Sequence, residues 1–217
     1  METNNIKAII FDLDGTLLDT LTDLKNSLNE ALRNHGLPER TTDEVRRFVG
    51  NGIAKLVERA IPSGTQHPSY DAVLTDIRRI YAQRCLENTA PYAGITEMLN
   101  ELSRKGYALA VVSNKPDAQV KALCKSFFGD CIHTAIGQQE GVRMKPAPDS
   151  LFAAMQQLDA DTDNTVYVGD SEVDVQTAQN AGVPCISVLW GFRDKELLLT
   201  NGARNFAHSP AEMMQMF

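Results

Sequence analysis

Several common protein classes are excluded by what this chain lacks. No apolar run approaches the ~18 residues of a bilayer span. No basic region precedes a long apolar segment in "METNNIK". Neither a membrane span nor a secretory leader is expected. The four cysteines, Cys85, Cys124, Cys131 and Cys185, form no C-x-x-C pair. That argues against a disulfide framework and for a reduced, cytoplasmic protein. His35, His67, His133 and His208 are scattered and offer zinc no cluster. Basic residues are the minority, 21 against 28 acidic, for a net charge of −7, with no dense basic run. No nucleic-acid partner is expected, and an anionic ligand must be attracted by local charges.

What is present is an alternating pattern. At 217 residues the chain suits one core domain with a smaller insert. "KAIIFD" is apolar throughout, as a parallel strand buried on both faces requires. Similar runs follow at "YALAVVS" (Tyr107–Ser113), "TVYVGD" (Thr165–Asp170) and "PCISVLW" (Pro184–Trp190), with a weaker one at "IHTAI" (Ile132–Ile136). Between them, helical spacing links Ile95, Met98, Leu99 and Leu102, then Val120, Leu123, Cys124 and Phe127, then Leu151, Ala154, Met155 and Leu158. The pattern predicts an α/β fold with a doubly wound, mostly parallel sheet.

From about Thr20 to Asn88 the alternation stops. Leu21, Leu24, Leu28 and Leu32 line one helix face, and Thr41-Thr42-Asp43-Glu44 is a capping-box pattern. Thr20 and Asp23 form a T-x-x-D pattern that, with Asp19, marks entry to this segment. "NTAPYAG" (Asn88–Gly94) is the expected return hinge. The expected organisation is a core of residues 1–18 and 90–217, with a helical cap of 19–89.

In open parallel sheets, ligands bind at the carboxyl ends of strands. There this chain places Asp12, Asp14, Gly15 and Thr16; Ser113 and Asn114; and Asp170, Ser171 and Asp174, with Lys145 in a later loop. Singly, each has an ordinary structural reading; Ser171 and Asp174, for instance, form a capping box. Together they require a cation, because carboxylates ~4 Å apart repel by ~4 kcal/mol even at an effective dielectric of 20. Mg²⁺ suits oxygen ligands and a substrate phosphate. Asp12, Asp170 and a backbone carbonyl near Asp14 are the expected ligands, with Asp174 holding waters or Lys145 in place. The set reads as phosphoryl transfer: an aspartate nucleophile, and Lys145 and the Ser113 hydroxyl on the transferring oxygens. N–H groups of the turn after Asp12 would nest the phosphate, Gly15 permitting the geometry. A second acid two residues from the nucleophile suits proton transfer to the leaving oxygen and from water.

"FDLDGTLLD", "VVSNK", "KPAPD" and "VGDSEVD", in this order, resemble the four motifs of the haloacid dehalogenase-like hydrolase superfamily over nearly the whole chain. The D-x-D-G-T start implies a phosphatase or phosphomutase rather than a dehalogenase. The resemblance implies Asp12 as nucleophile, Asp14 as acid/base, and Ser113 and Lys145 at the phosphoryl group. It implies Asp12, Asp14 and Asp170 at the metal, Asp174 behind them, and Gly15, Thr16 and Asn114 at the substrate. "FVGNGIAKLVERA" (Phe48–Ala60) and "LWGFRDKELLLTNGA" (Leu189–Ala203) look most like the phosphoglycolate phosphatase subfamily. Gly50-Asn51-Gly52 is then either a contact for a second anionic group of the substrate or a plain helix–helix turn. The expected ligand is a small anionic phosphate ester, bound by a monomer or homodimer. Pyrophosphatase, sugar-phosphate phosphatase and β-phosphoglucomutase-like mutase share the core motifs and remain open. A phospho-aspartate receiver domain uses similar groups, but the Asp12-x-Asp14 pair on the first strand and the helical insert argue against it.

Overall fold

The computed structural model describes residues 5–217. Two compact units result, the chain up to Leu18 with Pro91–Phe217, and Asp19–Ala90. In chain order the elements are β1 (Ala8–Phe11), β2 (Leu18–Asp19), α1 (Leu21–Asn34), α2 (Thr42–Phe48), α3 (Gly52–Ala60), α4 (Tyr70–Arg84) and β3 (Ala90–Pro91). They continue as α5 (Ile95–Arg104), β4 (Ala108–Pro116), α6 (Asp117–Phe128), β5 (Thr134–Gln138), α7 (Asp149–Gln157) and β6 (Thr165–Gly169). The last are α8 (Glu172–Ala181), β7 (Cys185–Val188), α9 (Lys195–Thr200), β8 (Asn205–Ala207) and α10 (Pro210–Met214).

The larger unit is a six-stranded sheet in the order β5-β4-β1-β6-β7-β8, with every pairing parallel. Alternation along the strands sorts two cores. Ile9, Phe11, Leu109, Val111, Val166 and Val168 pack against α5 and α6. Ile10, Ala110, Val112 and Tyr167 face α7 and α8. The chain steps outward from β1 to β4 and β5, then returns to lay β6 on the other flank of β1. In sheets that reverse in this way, ligands bind at the carboxyl ends of the strands beside the reversal. β4 pairs with β1 only over Ala108–Val111 but runs on to Pro116, and its register against β5 shifts between Val112 and Pro116. Ser113, Asn114 and Lys115 therefore extend past the end of β1, on a stretch of strand where the ladder is irregular.

β8 was not evident in the sequence. It is a three-residue edge strand, too short to show a period.

The smaller unit is helical apart from its ends, where β2 and β3 pair as a two-stranded ribbon. Leu21, Leu24, Leu28 and Leu32 are buried, as their spacing predicts. The Thr41 hydroxyl accepts the Glu44 N–H while the Glu44 carboxylate accepts the Thr41 N–H, completing the expected capping box. The T-x-x-D box expected at Thr20 does not form; Thr20 makes no side-chain cap hydrogen bond. Asp23 instead accepts from the N–H and side-chain amide of Asn88 and from the N–H and hydroxyl of Thr89. Asp19 takes over at the helix start by accepting the Leu21 N–H.

Candidate active site

The site lies in the larger unit and follows from strand alternation. Asp12 continues the face of Ile10, and its N–H donates to the Val168 carbonyl, 2.8 Å. Tyr167 projects from β6 on the same face. Asp174, in the first turn of α8, packs against Gly169, where a Cβ would overlap its side chain. Lys145 reaches these groups from the loop before α7. Its Nζ lies 2.8 Å from Asp12 Oδ1, 2.8 Å from Asp174 Oδ1 and 2.9 Å from Tyr167 Oη. Among the described residues, the Lys145 ammonium is the one group that the structure places against Asp12 Oδ1. Asn114 fixes the backbone of Lys145, accepting its N–H at 2.8 Å and donating to its carbonyl at 3.0 Å.

Asp174 is fully engaged. Oδ1 accepts from Lys145 Nζ and Tyr167 Oη; Oδ2 accepts from the Ser171 N–H and hydroxyl. Asp170 is held by the Thr16 hydroxyl on Oδ1, 3.2 Å, and the Phe192 N–H on Oδ2, 2.7 Å. Trp190 Nε1 donates to the Thr16 carbonyl, 2.9 Å, and so supports the residue that holds Asp170. Gly15, at φ +86°, lies where a Cβ would overlap the Asp170 carboxyl.

Carboxylate oxygens of Asp12, Asp170 and Asp174 lie within 4.8 Å of one another. Burial is the main cause that raises Asp12 to about 7, with Asp174 and Asp14 adding to it and Lys145 opposing it. Burial, then Asp174 and Asp12, push Asp170 well up. Burial also opposes the charge on Lys145, but Asp12 and Asp174 outweigh it and hold its pKa above the ordinary lysine value. Lys145, with Arg193 opposing more weakly at Asp170, does not offset burial and the mutual repulsion of these acids. The raised Asp12 and Asp170 carboxyls and the all-oxygen donor set fit a hard divalent cation.

Of the expected ligands Asp12, Asp14 and Asp170, the structure brings the side chains of Asp12 and Asp170 together, with Asp174 beside them. The Asp14 carboxylate lies outside that cluster and pairs with Lys115 Nζ at 2.8 and 3.1 Å. The N–H groups of Gly15 and Thr16, expected at a phosphate, are hydrogen-bonded within their own turn, to the carbonyls of Leu18 and Leu13. Ser113 is buried at the end of the regular part of β4, its Oγ accepting the Lys115 N–H. Sequence reasoning passed over Lys115 and Tyr167. Lys115 had a signal, because residues two apart on an extended strand share a face with Ser113. Tyr167 had none, since an aromatic in an apolar strand reads as packing.

Gly50-Asn51-Gly52 joins α2 to α3 in the smaller unit. Gly50 and Gly52 take φ of 121° and 79°, conformations open to glycine. Arg59 donates to the Phe48 carbonyl at 2.7 Å and to Asn51 Oδ1 at 2.8 Å, so its charge holds this turn.

A doubly wound sheet with a helical insert after its first strand, and an acid cluster bridged by lysine at the switch point, define a hydrolase of one family. The haloacid dehalogenase-like hydrolase model matches residues 9–188, and the chain belongs to that family. It is similar to the phosphoglycolate phosphatase of Pseudomonas syringae pv. syringae, 35% identical over 192 residues, covering 86% of this chain and 70% of the relative. The phosphoglycolate phosphatase of Mesorhizobium japonicum is 34% identical over 196 residues, covering 87% and 85%. Among solved structures, a Lactobacillus delbrueckii subsp. bulgaricus protein provisionally described as a phosphoglycolate phosphatase is 34% identical. It superposes with a TM-score of 0.94 over 97% of this chain and 98% of its own.

Proposed function

We propose that the protein is a Mg²⁺-dependent phosphatase that hydrolyses 2-phosphoglycolate through an aspartyl-phosphate on Asp12. The observation that carries this reading is the buried Lys145 spanning Asp12 and Asp174, with Asp170 alongside. The relatives named for that activity, at about a third identity, support the substrate.

Asp12 attacks phosphorus and the ester P–O bond breaks. Asp14 gives its proton to the departing oxygen, then as a carboxylate takes a proton from the water that attacks phosphorus and restores Asp12. Lys145 neutralises the transferring oxygens, and the Ser113 hydroxyl donates to them. Asp174 and Tyr167 keep the Lys145 ammonium fixed, so it needs no reorganisation as charge develops. Mg²⁺, held by Asp12 and Asp170, would screen the nucleophile from the phosphate charge and polarise the phosphoryl group.

The test is phosphate release with Mg²⁺ across phosphomonoesters and pyrophosphate. Here 2-phosphoglycolate is expected to give the highest kcat/KM; a higher value for pyrophosphate or a sugar phosphate reassigns the substrate. Asp12→Asn is expected to lower turnover of both 2-phosphoglycolate and p-nitrophenyl phosphate by ~10³-fold or more. Substantial residual activity in a folded variant would remove Asp12 as nucleophile.

A further inference from the structure

Lys115 has no part in the steps above, yet it is among the most enclosed charges in the protein. Its side chain is 2% exposed, and its Nζ contacts both oxygens of Asp14, whose side chain is 16% exposed. Burying an ammonium is costly unless an anion meets it. Here the partner is the carboxyl assigned to proton transfer, which accepts from the ammonium in either form and is the full anion in the step that takes a proton from water. The placement comes from β4, which overruns β1 and turns Lys115 toward the Asp14 turn, its N–H anchored on the Ser113 hydroxyl.

We propose that Lys115 is a positioning residue for Asp14: its ammonium holds the acid/base carboxyl in the direction from which it reaches the leaving oxygen. This rests on the reading of Asp14 as acid/base. An acid/base group misplaced by ~1 Å loses ~10²-fold in rate. A pair that served only stability would slow every substrate alike. A pair that aims Asp14 matters most where the leaving oxygen needs a proton. An alkyl ester such as 2-phosphoglycolate needs one; p-nitrophenolate departs without it.

The experiment compares kcat/KM for the two esters in Lys115→Met, with Asp14→Asn as reference. In Lys115→Met the loss on 2-phosphoglycolate is expected to be ~10²-fold, and at least ~10-fold larger than the loss on p-nitrophenyl phosphate. Asp14→Asn should show the same bias, and Lys115→Met should add nothing in the Asp14→Asn background. Should Lys115→Met fail to fold, Lys115→Arg keeps the cation but shifts its reach, and the same bias is expected in reduced form. Equal losses on both esters, or additive losses in the double variant, overturn the proposal. If the unmodified protein releases phosphate from neither ester, the functional reading fails and the proposal falls with it. If both are turned over and Lys115→Met is unbiased, only the role of Lys115 fails.

Discussion

Burial raises Asp12 from 3.8 to about 7 even with Lys145 in contact, and Asp170 is pushed up by the same cause. Between those two values folded Asp12 keeps a proton that the unfolded chain has released. The contribution is therefore full below 3.8, and what Asp12 adds to the stability of the metal-free protein falls as pH rises toward about 7. A divalent cation on the same oxygens must displace that proton. The Tm increase on replacing a chelator with Mg²⁺ is expected to be larger at about pH 8 than at about pH 5. Equal increases by thermal shift would place the ion elsewhere. At this scale, the residues legible in sequence were Asp12 and Asp170, whose polarity is out of place at a strand end, and Lys145 and Asp174, which the resemblance supplied. Tyr167 was hidden because its ring satisfies the core and only its hydroxyl joins the site.

Asp23 decides how α1 is tied to the end of its unit. Burial alone would raise its pKa, but the donors on Asn88 and Thr89 outweigh burial and lower it. Asp23→Ala would leave those donors without an acceptor, and a cost of roughly 2–4 kcal/mol is expected in urea unfolding at neutral pH. Because the folded pKa is depressed, this contribution is present above 3.8 and lost as pH falls through the folded value. The gap between Asp23→Ala and the unmodified protein should narrow in acid; a gap that stays constant would assign the cost to packing. The same residue shows where local patterns mislead. T-x-x-D matched a helix start, but the carboxylate found stronger donors 65 and 66 residues away. Long elements were legible because many residues vote together: β1, β4, β6 and α5 follow from unbroken apolar runs or clear helical spacing. β8, with three residues at the sheet edge, offers too few.

The acids, the bridging lysine and the loop that holds Asp170 all come from the unit formed by the chain up to Leu18 and Pro91–Phe217; the residues between form a second compact unit with four helices. A ligand stabilises only the structure whose loss destroys its site, by ~2.7 kcal/mol at a hundred times its Kd. The chain has a single tryptophan, Trp190, and it lies in the first unit, with its Nε1 on the Thr16 carbonyl. Tryptophan fluorescence therefore reports that unit alone, while far-UV ellipticity also counts α1 to α4. Mg²⁺ is expected to raise the denaturant midpoint seen by fluorescence, while the ellipticity curve lags behind it and broadens. If both curves move together, the two units unfold as one. If Mg²⁺ moves neither, the acid cluster does not bind the ion.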